Sequence, residues 1–335
     1  MIYSLRTLPR LIPLVIFVIS AILGGIAGTI PVFALMSTIA CALAFQLKIN
    51  PIRLVPFAIF GSMAGAVTPV SMNGVLVASL AAQSGIPFDG LSCFLANFVF
   101  DFIPCFIFYF AAKWHKFQFA DTVQVNKGEK FERRQVITLI GSLVMIVLTV
   151  FCAVDVGLAS LFVAAVVLLL GVTDQKTAIS GVPWGTLIMI SGMGILISVV
   201  NELHGIDLIA DLLTSIMTPA VAPLVYVLLG GFMSLVASAQ GVVMPTLFPT
   251  IPALVTAFPT LDPQIMMMAT LIGAYCTSIS PFSTGGALVL GAYSTIGAPS
   301  VEERDKLFLH LIYAAFIPLA LMAAMAGLGF LKVFF

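Results

Sequence analysis

Charged side chains are scarce in this chain of 335 residues. Only 8% of the residues are Asp, Glu, Lys or Arg, whereas about 25% is usual in soluble domains, and 61% are apolar. So few polar groups cannot cover the surface of a soluble domain of this size. Lipid offers the backbone no hydrogen-bond partner, and the apolar runs are continuous rather than alternating as in barrel strands. The sequence therefore predicts an all-α polytopic membrane protein.

Motifs for several other functions are missing as well. The five cysteines lie singly in apolar runs without C-x-x-C or metal-ligand spacing, so they are interpreted as packing residues. The net charge is zero and basic residues form no stripe with aromatics, which argues against a nucleic-acid partner. The sequence has no H-E-x-x-H, P-loop or G-x-S-x-G motif, so we expect neither an enzyme nor an ATP-driven pump, and no cofactor other than Na⁺.

Uninterrupted apolar runs predict the simple membrane spans, since about 20 apolar residues cross a bilayer. These runs occupy residues 90–112, 135–153, 156–171, 183–200 and 308–331. Residues 205–217 instead alternate leucine and isoleucine with Asp207 and Asp211, which predicts an interfacial amphipathic helix.

Four further apolar stretches are interrupted near their middle. Residues 11–47 are broken by glycines and Thr29, and residues 221–257 by the sequence Ser-Ala-Gln-Gly at 238–241. We interpret both as re-entrant hairpins. Residues 51–84 and 263–298 are each interrupted by a proline motif and predict broken transmembrane helices.

The basic residues fix the expected orientation. If both hairpins return to the side they entered, every Lys and Arg except Lys332 lies on one face of the membrane. By the positive-inside rule this face is cytoplasmic, with the N-terminus and loop 113–134 inside and the C-terminus outside. We expect the protein in the cell (inner or plasma) membrane, surrounded by the lipid bilayer.

An internal repeat relates the two broken spans. The sequence Thr-Pro-Val-Ser-Met-Asn-Gly at 68–74 matches Ser-Pro-Phe-Ser-Thr-Gly-Gly at 280–286, at an offset of 212 residues that also aligns Pro51 with Pro263 and Gly61 with Gly273. Nearly the same offset aligns Gly28 with the second hairpin tip. The intervening spans make the second copy run opposite to the first, so the repeat is inverted, as in many secondary transporters. The expected domains are a first repeat at 1–112, a cytoplasmic linker at 113–134 and a second repeat at 135–335.

The breaks are the candidate substrate and ion site. Proline frees backbone groups in the membrane, which is tolerated only inside protein or beside a watery cavity. New helix N-termini favour an anion, while hydroxyl and carbonyl oxygens favour a small cation. The candidate binding residues are Gly28, Thr29, Thr68, Pro69, Ser71, Asn73, Gly74, Ser238, Gln240, Gly241, Ser280, Pro281, Ser283, Thr284, Gly285 and Gly286. The candidate Na⁺ ligands among them are Thr68, Ser71, Ser238, Ser280 and Ser283.

Asp101 is the one carboxylate in the middle of a predicted span. An ionisable group at that depth is costly and marks a functional residue, here a proton carrier, or else it makes a structural hydrogen bond to a neighbouring helix. The sequence leaves both interpretations open.

The plan of two hairpins and two broken helices resembles the ion transporter superfamily, and within it the divalent-anion:sodium symporters. The segments Gly-Gly-Ile-Ala-Gly at 24–28 and Ala-Gly-Ala-Val-Thr-Pro-Val-Ser-Met-Asn-Gly-Val at 64–75 are most similar to malonate-carrier-type dicarboxylate permeases. The resemblance implies a small dicarboxylate substrate, Na⁺ coupling, an elevator-like movement and a homodimer. Ser-Ala-Gln at 238–240 replaces the Ser-Asn-Thr of the symporters, which leaves H⁺ coupling open.

Three functions remain compatible with these patterns. The first is secondary uptake of dicarboxylates of the malonate or succinate kind. The second is a cation/proton antiporter or arsenite-type permease of the same architecture, which would depend on Asp101. The third is a membrane scaffold without transport activity, because the first repeat has none of the three spans that precede the second hairpin. We expect either that helices of the first repeat are missing or that its start codon is assigned too late.

Overall fold

The structure is a computed structural model that describes residues 9–117, 132–152, 154–182, 184–297 and 299–335. The described residues contain helices and turns but no strand, as the all-α prediction requires. The predicted linker residues 118–131, including Lys127 and Lys130, lie outside the described residues, as do Arg6, Pro183 and Ala298.

The first half of the chain forms five helices before the linker. They are α1 (Ile12–Ala27), α2 (Thr29–Gln46), α3 (Val55–Gly65), α4 (Met72–Gln83) and α5 (Gly90–Ala111). The predicted hairpin 11–47 consists of α1 and α2, which meet at Gly28. The predicted broken span 51–84 consists of α3 and α4, separated by residues 66–71, so both interruptions occur where the sequence places them.

The second half forms the remaining helices. They are α6 (Arg133–Val150), α7 (Val156–Leu169), α8 (Gln175–Ser180), α9 (Trp184–Glu202), α10 (Gly205–Ile216), α11 (Ala222–Ser234), α12 (Met244–Leu247), α13 (Ile251–Ala257), α14 (Pro263–Cys276), α15 (Thr284–Gly297) and α16 (Val301–Gly327). The tip of the second predicted hairpin is a π-helical segment, Ala239–Val243, between α11 and α12. The second broken span consists of α14 and α15, and α10 coincides with the predicted interfacial helix.

The chain forms two compact units. The larger unit comprises Met1–Val123 and Gly192–Phe335, and it contains both interrupted stretches and both broken spans. The smaller unit is Gln124–Ser191, in which α6 packs against α7. The division into a first repeat, a linker and a second repeat remains a prediction about the membrane topology of the chain.

The two copies of the repeat pack in the same way. In the first copy α1 packs against α3, and in the second α11 packs against α14. A Cβ atom at Gly61 would lie 2.6 Å from the carbonyl oxygen of Phe17, and one at Gly273 would overlap the carbonyl oxygen of Val227. The absence of a side chain at these aligned glycines therefore allows the paired helices to approach closely.

Four segments within the described residues are long and apolar enough to cross a membrane. They are Thr29–Gln46, Gly90–Ala111, Ala239–Ala257 and Val301–Gly327. The chain is an all-helical integral membrane protein. The assignment of the shorter paired helices to re-entrant hairpins and broken spans remains a prediction.

Candidate functional site

The first tip is a break of a single residue. Gly28 has φ of +80°, a backbone conformation that favours glycine, and this residue ends α1 and begins α2. No side chain caps the start of α2, so its first N–H groups are available to a ligand. Thr29, the first residue of α2, is 1% exposed.

The first broken span turns sharply between α3 and α4. The Ser71 hydroxyl accepts a hydrogen bond from the Gly74 N–H at 2.9 Å, which caps α4. The same hydroxyl donates to the carbonyl oxygen of Ala66. A Cβ atom at Gly74 would overlap the carbonyl oxygen of Thr68, so only glycine fits this turn.

The second broken span repeats this turn. Ser283 N–H donates to the Ser280 carbonyl at 2.9 Å, as Ser71 N–H donates to the Thr68 carbonyl at 3.1 Å. A Cβ atom at Gly286 would overlap the Ser280 carbonyl, which is the same constraint as at Gly74. The aligned motifs thus fold into matching turns. The first turn leads into α4 in the first half of the chain, and the second leads into α15 in the second half.

Thr68 and Ser280 tie each break to the helix packed beside it. The Thr68 hydroxyl donates to the carbonyl oxygen of Gly25 at 2.5 Å, and the Ser280 hydroxyl donates to that of Leu235 at 2.9 Å. These bonds occupy the hydroxyl protons and leave the oxygen lone pairs for a cation. The proposed Na⁺ ligands Thr68 and Ser280 therefore also have a structural role.

The second tip is capped by its own serine. The Ser238 hydroxyl accepts from the Gly241 N–H at 3.2 Å at the start of the π-helical segment. Gln240 is 5% exposed and extends from this segment toward the first tip.

The elements meet at the Thr29 hydroxyl. Its oxygen accepts a hydrogen bond from Asn73 Nδ2 at 2.9 Å and another from Gln240 Nε2 at 3.0 Å. The Tyr275 hydroxyl lies 3.5 Å from the same Asn73 nitrogen. We refer to Thr29, Asn73, Gln240 and Tyr275 as the Thr29 cluster, and it joins both tips and both broken spans.

The Thr29 cluster holds buried acceptors without partners. Neither Asn73 Oδ1 nor Gln240 Oε1 has a hydrogen-bond partner, although both are buried. A buried polar atom without a partner costs about 1–3 kcal/mol, so each of these oxygens would gain from a hydrogen-bond donor or a cation. Amide oxygens can coordinate a cation or accept a hydrogen bond from a substrate hydroxyl.

A small cavity adjoins the cluster. Its volume is about 20 Å³, which is enough for one water molecule or ion. None of the residues that line this cavity is charged. They come from the first turns of α2, from α3, from the second tip and from the second break: Thr29, Ile30, Phe33, Met63, Ser238, Ala239, Gln240, Ser278, Ser283, Thr284 and Gly285.

The predicted site residues take different positions in the structure. Thr29, Asn73 and Gln240 contact one another, and Ser238, Ser283, Thr284 and Gly285 line the adjoining cavity. Gly28, Gly74, Gly241 and Gly286 shape the turns, together with the capping serines. Pro69 is exposed and Pro281 is buried, and neither lines the adjoining cavity.

Asp101 lies elsewhere, on α5. It is 5% exposed, and its Oδ2 atom has no hydrogen-bond partner. One turn earlier, Asn97 Nδ2 donates to the carbonyl oxygen of Met63 at 2.7 Å, at the end of α3. The structure therefore keeps Asp101 buried within electrostatic reach of Tyr275, but no hydrogen bond between described residues joins it to the Thr29 cluster.

Tyr275 and Asn97 were not among the residues expected from the sequence. Tyr275 stands in an apolar run one turn before the second break, and its phenol needs a polar partner once buried. Asn97 precedes Asp101 by four residues, the spacing that places two side chains on one helix face. Those two signals were sufficient to suggest both residues.

The chain is similar to known transporters in sequence and in structure. A family model described as CitMHS, citrate transporter, matches residues 1–273. The crystal structure of the YdaH transporter of Alcanivorax borkumensis, described as having an unusual topology, has 15% sequence identity and a TM-score of 0.67 over 97% of this chain and 80% of that one. At that identity the likeness shows the fold. A search of curated proteins gives no match.

Proposed function

This chain belongs to the CitMHS family of citrate transporters, and we propose that it is a secondary active transporter of small dicarboxylates such as malonate or succinate. We propose further that transport is coupled to Na⁺ or H⁺ and proceeds by alternating access. The family and the structural neighbour are both transporters, so the predicted relationship to the ion transporter superfamily is confirmed. They support anion transport in general, and the dicarboxylate is our inference.

The observation that carries the proposal is the Thr29 cluster. It brings the uncapped start of α2 together with Asn73 of the first break, Gln240 of the second tip and Tyr275 before the second break. Free N–H groups at a helix start carry a partial positive charge that suits a carboxylate. The start of α15, at Thr284 and Gly285, lines the adjoining cavity, and two helix starts at one site would suit a molecule with a carboxylate at each end.

The coupling part of the proposal follows from charge. The cavity beside the cluster is lined by no basic side chain, so helix N-termini alone would have to offset two negative charges in a membrane. A co-transported cation reduces that cost. The buried oxygens Asn73 Oδ1 and Gln240 Oε1, and the hydroxyl groups at the tips and breaks, are the ligand types that Na⁺ takes.

The size of the cavity supports alternating access. A volume of about 20 Å³ has room for about one water molecule and not for a dicarboxylate. Substrate entry therefore requires the two tips to separate from the breaks, which would also disrupt the Thr29 hydrogen bonds.

Citrate is a further candidate substrate because of the family to which the chain belongs. The matching model is named for citrate, a tricarboxylate whose central carboxylate and either terminal carboxylate are spaced as in succinate. We therefore include citrate among the substrates to be tested and keep dicarboxylates as the expected class.

Flux measurements test this function. Purified protein in proteoliposomes would be assayed for uptake of labelled malonate, succinate and citrate, with Na⁺ and pH gradients imposed separately. We expect saturable dicarboxylate uptake that one of the two gradients accelerates. If folded protein shows no saturable flux of any of the three acids, the proposal is wrong, and uptake of citrate alone would overturn the dicarboxylate assignment.

A further inference from the structure

Two buried polar side chains on α5 form a pair outside the Thr29 cluster. Asn97 is 1% exposed and Asp101 5% exposed. They lie one helical turn apart, so their side chains share a face of the helix.

The NH₂ group of Asn97, the hydrogen-bond donor of the pair, has partners on α3. Asn97 Nδ2 donates to the carbonyl oxygen of Met63 at 2.7 Å and lies 3.4 Å from that of Ala64. These carbonyls belong to the last turn of α3, where the break leaves the helix without its normal succession of N–H donors. The Asn97 amide therefore holds the end of α3 directly before the turn that contains Thr68 and Ser71.

The pair also has acceptor oxygens that lack a hydrogen-bond donor. Asn97 Oδ1 and Asp101 Oδ2 are both buried, and neither has a hydrogen-bond partner. Two acceptor atoms cannot satisfy each other. A carboxylic acid, unlike a carboxylate, supplies one O–H that can satisfy both groups at once.

The surroundings of Asp101 offer no counter-charge. The titratable groups that act on it or respond to it are the Cys105 thiol on α5 and the Tyr275 phenol and Cys276 thiol on α14. The packed helices α1 and α3 contain no titratable residue, and in α16, which also packs against α5, the titratable residues all lie in the first half of the helix, from Glu302 to Tyr313. Lys332 follows Phe330, which contacts the ring of Phe100, but it lines a separate cavity beside Asp262. Within the described residues Asp101 makes no ion pair.

We propose that Asp101 carries a proton at neutral pH and donates it in a hydrogen bond to Asn97 Oδ1, which makes Asn97 a positioning residue that connects proton binding to the first broken span. When the proton leaves, Asp101 can only accept, and the Asn97 NH₂ group, which already lies within reach of this carboxylate, is drawn toward it. That shift weakens the bonds to Met63 and Ala64 and loosens the end of α3. The coupling role rests on the proposed transport function, whereas the proton site itself does not.

Infrared spectroscopy tests the proton site without any substrate. Wild-type protein at neutral pH is expected to show a carbonyl band of a protonated carboxylic acid that Asp101→Asn removes. Asn97→Leu, which cannot accept, is expected to shift this band to higher frequency without removing it. The matched control Asp89→Asn, an exposed cap of the same helix, should leave the band in place. Absence of an Asp101-dependent band, or an unchanged band in Asn97→Leu, would overturn the proposal.

Transport in vesicles tests the coupling. Asp101→Asn is expected to lose succinate accumulation driven by a pH gradient, whereas succinate exchange, which moves no net proton, continues in the same vesicles. Accumulation that persists in this variant would overturn the coupling role. If wild-type protein transports no carboxylate but shows the Asp101-dependent band, the proposed function fails and the proton site stands.

Discussion

Thr29 shows most clearly how single residues connect the two halves of the chain. Its hydroxyl oxygen accepts from Asn73, 44 residues later, and from Gln240, 211 residues later. Thr29 also begins a helix that no side chain caps, so the same residue contributes both hydrogen-bond acceptors and free N–H groups. Residues of this kind determine the chemistry of the site, and the glycines around them determine its shape.

Gly286 is expected to be intolerant of even one added methyl group. In Gly286→Ala the Cβ atom would overlap the carbonyl oxygens of Ser280 and Ile279, which belong to the backbone and cannot move independently. We expect a loss of about 3 kcal/mol or more in stability. Gly291→Ala, in the same helix with no heavy atom within 4 Å of the new Cβ, is the control and should be neutral or stabilising by up to about 1 kcal/mol. Thermal unfolding in detergent would measure both, and equal effects would contradict the tight turn.

Tyr275 is expected to act on substrate affinity more than on stability. Its hydroxyl lies 3.5 Å from Asn73 Nδ2, a long and weak hydrogen bond, so Tyr275→Phe should cost little in unfolding temperature but should weaken substrate binding. Tyr226→Phe is the matched control, because the Tyr226 hydroxyl makes a short 2.7 Å bond to Thr250 away from the cluster. That variant should lose about 1 kcal/mol of stability and keep its affinity. Binding isotherms and thermal unfolding of both proteins would separate the two roles, and the reverse pattern would show that Tyr275 is only structural.

Among the structural elements, the turns of the two broken spans are built in the same way. Each turn follows a helix whose glycine packs against a neighbouring backbone, and each is tied to that neighbour by a hydroxyl group. Because a proline break leaves backbone groups exposed in the membrane, the hydroxyl ties are part of what makes the breaks tolerable.

Removing the hydrogen bond of either hydroxyl, Thr68 or Ser280, should therefore destabilise the protein to a similar extent. Thr68→Val keeps the side-chain shape but loses the bond to the Gly25 carbonyl, and Ser280→Ala loses the bond to the Leu235 carbonyl. We expect each to cost about 1 kcal/mol, with a further cost where the carbonyl stays buried. Thr68→Ser, which keeps the hydroxyl, is the control. Unfolding temperatures equal to wild type in both variants would show that the ties carry no stability.

The sequence predicted the elements of this architecture better than the contacts between them. The register of the two motifs placed both breaks and both tips, because proline and glycine act on the backbone locally. Helix ends were similarly predictable from capping residues such as Asp89 and Asp262. The contact between Thr29 and Gln240 was not, since it depends on how distant elements pack. Tyr275 and Asn97 do carry a sequence signal, a polar group within an apolar run, but their hydrogen-bond partners are likewise determined by packing.

At the scale of the whole molecule, the two motif copies lie in one compact unit, whereas Gln124–Ser191 forms another. The charge distribution predicts the orientation of the chain in the membrane. Asn50 caps the entry to the first broken span, and Asp262 caps the entry to the second. Lys48 and Arg53 flank the first position in sequence, whereas the second is itself acidic and has no Lys or Arg nearby, so we expect these two caps on opposite sides of the bilayer.

Cysteine labelling would test that orientation. In a background whose native exposed Cys152 is replaced, Asp89→Cys and Asp262→Cys are expected to react with an impermeant maleimide applied outside cells. Arg304→Cys, an exposed residue of α16 on the predicted cytoplasmic side, should react only after permeabilisation. Labelling of Arg304→Cys from outside, with Asp262→Cys labelled only after permeabilisation, would show that the two broken spans run in the same direction and that the repeat is not inverted.

The central claim is that the Thr29 cluster is the site of transport. The decisive measurement is the concentration dependence of labelled succinate uptake by proteoliposomes containing wild-type protein, Thr29→Val or Thr38→Val. Thr38 lies on the exposed face of the same helix, where its hydroxyl donates only to the Ala34 carbonyl. We predict saturable uptake by wild type and Thr38→Val and a loss of about tenfold or more in kcat/KM for Thr29→Val, as expected when a site loses about 1.4 kcal/mol. Wild-type uptake kinetics in Thr29→Val, with the protein folded, would contradict the account.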